Sequence, residues 1–130
     1  MKARLREGAA FLAVGGTAFV LGAVSLEALV RAGVSPYAAQ VPALGLAILT
    51  TWMGNRRWTF RVNAPPTWRE FLRYVGASLG GLAVNAATFS ALTYAGLPTT
   101  PAFAAATIAA MGFNFLSYRF FVFEHSEDRL

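Results

Sequence analysis

Charged side chains along this sequence come in clusters, and the chain between the clusters is apolar. No Asp, Glu, Lys or Arg occurs from Gly8 to Leu26, from Ala32 to Asn55, or from Tyr74 to Tyr118. An uncharged run of about 18 residues or more suits a hydrocarbon core of ~30 Å at ~1.5 Å of helix rise per residue. The longest run is interrupted by Gly96-Leu97-Pro98-Thr99-Thr100-Pro101, with one Gly and two Pro close together; such punctuation marks a turn. The pattern therefore predicts four transmembrane helices, near residues 9–30, 37–58, 74–95 and 100–123. Gly33, Ser35 and Pro36 make the first turn, and a polar loop from Arg61 to Arg69 with Pro65-Pro66 joins the second helix to the third. The expected fold is an all-α integral membrane protein, a single four-helix domain over residues 1–130 with almost no chain left for an extramembrane domain. Lys2, Arg4 and Arg6 give the basic start of a signal peptide, but the first run exceeds the usual apolar core of about 7–15 residues, so a retained helix is expected.

Composition agrees. Hydrophobic residues make up 56% of the chain, charged residues only 13%, and there is no cysteine. Soluble domains carry roughly 25% charge, so a soluble enzyme, a disulfide scaffold and a disordered tail are all excluded. With four spans, both termini and the central loop share one side. That side holds Lys2, Arg4, Arg6, Arg56, Arg57, Arg61, Arg69, Arg73, Arg119 and Arg129, against Arg31 alone on the other. Basic residues accumulate on the cytoplasmic side, so both termini are expected there, in a multi-pass protein of the cytoplasmic (inner) membrane. Trp52, Trp58, Phe60, Trp68, Phe120, Phe121 and Phe123 fall near the same interface. Topology and lipid head groups account for the pI near 10.5; no nucleic-acid motif accompanies it, and no nucleic-acid partner is expected.

The second and fourth helices end alike. TWMGNRRWTF (Thr51–Phe60) and NFLSYRFFVF (Asn114–Phe123) superimpose at one constant offset, pairing Thr51 with Asn114, Trp52 with Phe115, Arg56 with Arg119 and Phe60 with Phe123. Upstream, at the same offset, Ala39, Ala43, Ala47 and Thr51 match Ala102, Ala106, Ala110 and Asn114. A four-residue step keeps each ladder on one helix face, and small residues let helix backbones approach closely in lipid. FLAVGG at Phe11 loosely echoes RYVGAS at Arg73. The chain thus reads as two tandem helical hairpins, a parallel repeat about an axis along the membrane normal. Such a repeat does not by itself supply the two exchangeable conformations of an inverted one.

Candidate chemistry concentrates at the two similar ends. Asn55, Arg56 and Arg57 in the first half, with Asn114 and Arg119 in the second, would form a paired site for a phosphorylated lipid head group. Guanidinium forks match phosphate oxygens and stay charged at every pH, and carboxamides add directed hydrogen bonds. The alternative is that these arginines are anchors snorkelling to ordinary lipid phosphates. Thr51 and Asn85 are polar positions that could line the same path; Asn85 and Asn114 also serve as interhelical glue in the plainer reading. Glu27 sits near the outer boundary, one helical turn before Arg31, which favours a surface pair over a proton-coupled site. Gly76/Gly80, Ala77/Gly81 and Gly8/Gly15/Gly22 mark close-packing faces. His125 lies in the polar tail EHSEDRL, where solvation is expected. No nucleophile–base pair, metal cluster or phosphate-binding loop stands out, so neither enzymatic activity nor a cofactor is expected.

Four spans in 130 residues, GNRRWTF closing the second helix and NFLSYRFFVF closing the fourth together resemble the GtrA-like family over essentially the whole chain. The resemblance implies a role in cell-surface polysaccharide synthesis: flipping a polyprenyl phosphate or polyprenyl-phosphate-linked sugar across the cytoplasmic membrane. The alternative is a non-transporting membrane scaffold for a polyprenyl-phosphate glycosyltransferase. The resemblance places the family pattern on Asn55, Arg56, Arg57, Asn114 and Arg119; Thr51, where the second half has Asn114, departs from it and makes the half-sites unequal. Beside the carrier lipid, membrane lipids, a glycosyltransferase and further copies of the chain are the expected partners. A small cation or drug exporter is a third class, and would depend on Glu27.

Overall fold

A computed structural model describes residues 2–123; His125 and Arg129 lie outside the described residues. The described chain is built from helices, with no strand among its residues. The helices are α1 (Lys2–Arg31), α2 (Pro36–Gly54), α3 (Trp68–Tyr94) and α4 (Thr99–Ser117). Short turns of π-helix extend α2 and α4, the first at Asn55–Thr59 and the second at Tyr118–Val122. The chain divides between Asn63 and Ala64 into two compact units. In the first, α2 and its π turn pack along α1; in the second, α4 and its π turn pack along α3.

The helices begin earlier than the uncharged runs do. Helix α1 includes Lys2, Arg4, Arg6 and Glu7, and α3 includes Arg69, Glu70 and Arg73. Lys, Arg and Glu are strong helix formers, so charge marks the edge of an apolar span without ending the helix. Helix α3 starts at a capping-box spacing, Thr67-Trp68-Arg69-Glu70: the Glu70 backbone N–H donates to the Thr67 hydroxyl at 3.0 Å, satisfying one of the orphan donors of the first turn. Ser35 caps α2 in the same way, accepting from the Ala38 N–H at 3.2 Å, with Pro36 at the first helical position where its missing N–H does no harm.

The offset that pairs Thr51 with Asn114 in the sequence recurs in these boundaries. Applied to α2 and its π turn, it gives the bounds of α4 and its π turn residue for residue, and it carries Arg31 onto Tyr94 at the ends of α1 and α3. Gly33 and Gly96 have the same left-handed backbone, φ +100° and +99°, which a side chain would strain. The small-residue ladders face inward: Ala39, Ala43, Ala102, Ala106 and Ala110 are buried, and Ala47, Thr51 and Asn114 are half-buried. Much large apolar surface faces outward instead, including Phe19, Val24, Leu44, Leu82 and Ile108, as lipid-facing helices require.

Among the described residues, three helical segments are long and apolar enough to cross a membrane: Lys2–Arg31, Trp68–Tyr94 and Thr99–Val122. Helix α2 is not one of them. It is as long as α4 but carries Gln40 and an internal Pro42 among its apolar residues.

Candidate functional site

The two helix ends that share a sequence pattern are built differently. In the first unit, Asn55 and Arg56 are buried, at 2% and 5% exposure, while Arg57 is exposed. Asn55 turns inward, and its Oδ1 accepts the Thr59 hydroxyl at 2.9 Å. Its backbone carbonyl accepts the Phe60 N–H at 2.8 Å, the bond that closes the π turn. Arg57 lies over the Trp58 ring, 5.3 Å from its centroid, a cation–π contact at an exposed position. Asn55 and Arg57 are close in sequence but differ in surroundings: one pins a buried turn, the other faces outward.

Two residues outside the expected set complete this end. Arg6 donates to the carbonyls of Trp58 at 2.9 Å and Thr59 at 3.1 Å. These belong to the last turn of a helix, where carbonyls have no intrahelical donor and the dipole is negative. Arg6 is thus a cap for a helix distant in sequence and not only an interfacial anchor. Arg61 has φ 51°, in the left-handed region that a non-glycine residue enters at a cost of about 1 kcal/mol. That geometry lets the Val62 N–H reach the Arg56 carbonyl at 2.7 Å. This is the closure of a glycine-ended helix, widened by one residue by the π turn.

In the second unit the residues corresponding to Asn55 and Thr59 are Tyr118 and Val122, both buried. Tyr118 stacks on Tyr74 with centroids 4.4 Å apart, and Phe123 packs edge-on against Tyr118. The Tyr118 hydroxyl shares a 2.6 Å hydrogen bond with the Ser78 hydroxyl. Arg119 is half-buried, with its guanidinium 6.0 Å from the centre of the Phe120 ring. Asn114 packs against α3 where Gly81 leaves room: a Cβ at Gly81 would fall on the Asn114 carboxamide. The buried Oδ1 of Asn114 accepts no hydrogen bond, and the buried hydroxyl oxygen of Thr107 takes part in none. Thr51, the counterpart of Asn114, instead donates to the Ile48 carbonyl at 3.0 Å on its own helix. Asn85 is half-buried on α3.

Glu7 and Glu70, another pair at the same repeat offset, stand near the starts of α1 and α3, and Glu70 is only 5% exposed. The aligned segments Arg6-Glu7 and Arg69-Glu70 carried this signal in the sequence, but it lay outside the expected helices. Glu27 pairs with Arg31 at 3.0 Å, both side chains largely exposed, so this acidic residue has the surface role its spacing suggested. Among the aromatic residues expected at the interface, Trp52, Phe60 and Phe123 belong to the interior, whereas Trp58, Trp68, Phe120 and Phe121 are exposed.

No curated protein matches the chain. A family model described as GtrA/DPMS, transmembrane domain, matches residues 10–127. The match spans both units and both arginine-bearing helix ends, and with the apolar helices it establishes a multi-pass membrane protein of a kind concerned with lipid-linked sugars. The chain belongs to the GtrA/DPMS transmembrane-domain family.

Proposed function

We propose that the chain crosses the cytoplasmic membrane four times, with both termini cytoplasmic, and binds a polyprenyl phosphate, free or sugar-linked. It carries that lipid across the bilayer for cell-surface polysaccharide synthesis and makes or breaks no covalent bond. The observation that supports this best is the duplicated π turn. Asn55–Thr59 and Tyr118–Val122 occupy equivalent positions and hold Arg56 and Arg119 at the same register. Turns of π-helix concentrate at functional sites, and an arginine fork there suits a phosphate. The ten-to-one distribution of basic residues favours the topology, and α2 with its π turn matches the length of α4 with its own. In the second unit, Asn85, Thr107 and Asn114 offer polar groups within the uncharged stretches of α3 and α4, where a passing head group could exchange hydrogen bonds.

The test is lipid retention by native mass spectrometry, paired with translocation in proteoliposomes, for the wild type, Arg119→Ala and Arg56→Ala/Arg119→Ala, each first confirmed folded by circular dichroism. Undecaprenyl phosphate should be retained by the wild type and lost from the double variant, together with translocation. Unchanged retention and transport in both variants would sink the reading. A second reading, a non-transporting membrane partner of a polyprenyl-phosphate glycosyltransferase, is favoured by the exposed rings of Trp58, Trp68, Phe120 and Phe121, since exposed aromatic residues are common anchors of protein interfaces. A stable complex with such an enzyme, without translocation by the chain alone, would select it.

A further inference from the structure

The second unit contains a groove of about 580 Å³ lined by Arg73, Gly76, Ala77, Phe113, Ser117 and Phe121. Its character changes along α3. Arg73 lies in the charged opening stretch of the helix and is exposed; Gly76 and Ala77 follow about one turn later. A Cβ at Gly76 would meet nothing within 4 Å, so the trough is open there. Phe113 and Phe121 supply apolar walls, and Ser117, a buried residue, contributes a hydroxyl to the lining.

The corresponding positions in the first unit are Ala10, Ala13, Val14, Thr50, Gly54 and Trp58. They include no cation, and Val14 fills the space: its Cγ1 lies only 2.7 Å from where a Cβ of Gly54 would stand. The first unit has a groove of similar volume elsewhere, along Ala18, Gly22, Gln40, Ala43 and Ala47, with no charged residue in its lining. A cation at the mouth of this trough therefore occurs in one half of the repeat.

We propose that this groove seats one phosphorylated polyprenyl chain, with its phosphate on Arg73 and Ser117 and its first isoprenyl units over Gly76 between Phe113 and Phe121. The inference rests on the carrier-lipid reading above and adds a seat to it: beside the two arginine-bearing helix ends, the second unit alone has a cation-mouthed groove for the lipid. A guanidinium has five N–H donors, so Arg73 can keep its contacts within the protein and still offer a fork to a phosphate. One cation and one trough match a single-chain monophosphate.

The experiment measures binding of undecaprenyl phosphate by native mass spectrometry, with phosphatidylglycerol as the competing anionic lipid. Arg73→Ala, Gly76→Leu and the exposed-cation control Arg4→Ala are compared with the wild type after circular dichroism has confirmed that each is folded. Arg73→Ala removes charge-assisted hydrogen bonds and should weaken binding roughly tenfold. Gly76→Leu should do the same by filling the trough without touching a charge, and Arg4→Ala should bind as the wild type does. If the wild type prefers undecaprenyl phosphate but the Arg73 and Gly76 variants bind it equally well, the groove is not the seat, and the carrier-lipid reading survives. If the wild type shows no preference over phosphatidylglycerol, the carrier-lipid reading itself fails and the groove falls with it.

Discussion

The two units share their helix boundaries at one constant offset, but they spend their polar groups differently. In the first, polar side chains are turned back on the protein. Asn55 bonds Thr59, Arg6 caps the carbonyls of Trp58 and Thr59, and Thr51 bonds its own helix. In the second, aromatic rings do the closing, through Tyr74, Tyr118 and Phe123. Polar atoms are left over: the Oδ1 of Asn114 and the hydroxyl of Thr107 are buried and unsatisfied. Unsatisfied buried acceptors and donors are costly. Among the described residues they are confined to one unit, the unit that also holds the Arg73 groove. The same helix end is thus closed by polar bonds in one copy of the repeat and by stacked rings in the other.

The largest effect should come from the buried arginine. Arg56→Ala removes a charged, partnered side chain from the interior of the first unit and should destabilise the protein by about 3 kcal/mol; Arg57→Ala, on an exposed neighbour, should stay within about 0.5 kcal/mol. Denaturant unfolding of both in detergent would measure the contrast, and equal effects would remove the structural role assigned to Arg56. Next comes the helix seam of the second unit. Gly81→Ala places a methyl group on the Asn114 carboxamide and should cost about 1–3 kcal/mol. Adding Asn114→Thr, the residue found at the matching place in the first unit, should restore much of it. A double-mutant cycle with no coupling between the two sites would show that Gly81 is not there to accommodate Asn114.

Tyr118→Phe keeps the stack on Tyr74 but deletes the hydrogen bond to Ser78. A loss of about 1 kcal/mol is expected, with Ser78→Ala adding little on top; fully additive losses would mean that the two hydroxyls do not act through each other. The smallest change should be a gain. Arg61→Gly relieves the left-handed backbone at the end of the first π turn and should raise stability by up to about 1 kcal/mol. A loss instead would show that the Arg61 side chain contributes more to this end than its backbone strain removes.

The sequence already displayed the apolar runs, the turn at Gly96–Pro101, the constant offset between the two halves and the burial of the alanine ladders. Each follows from local rules: a span needs length and apolarity, a tight turn needs Gly or Pro, and a closely packed helix face needs small residues. Those same rules do not reveal that α1 and α3 begin earlier, at Lys2 and Trp68, because charge marks the edge of an apolar run and not the start of a helix. Hence Arg6, Glu7 and Glu70 fell outside the expected helices. Whether an arginine is an anchor, a buried strut or a helix cap is not a local property. Arg6 is a cap only because α1 packs beside the end of α2, and Arg56 and Arg57 differ only in the direction each faces on a π turn. Likewise, Asn114 resembled Thr51 by position, yet only the packing of α3 against α4 shows its carboxamide against Gly81, its carbonyl oxygen without a donor. Covalent order determined the elements and their repetition; the identity of each polar group's partner is a long-range matter of packing, and tertiary structure decided it.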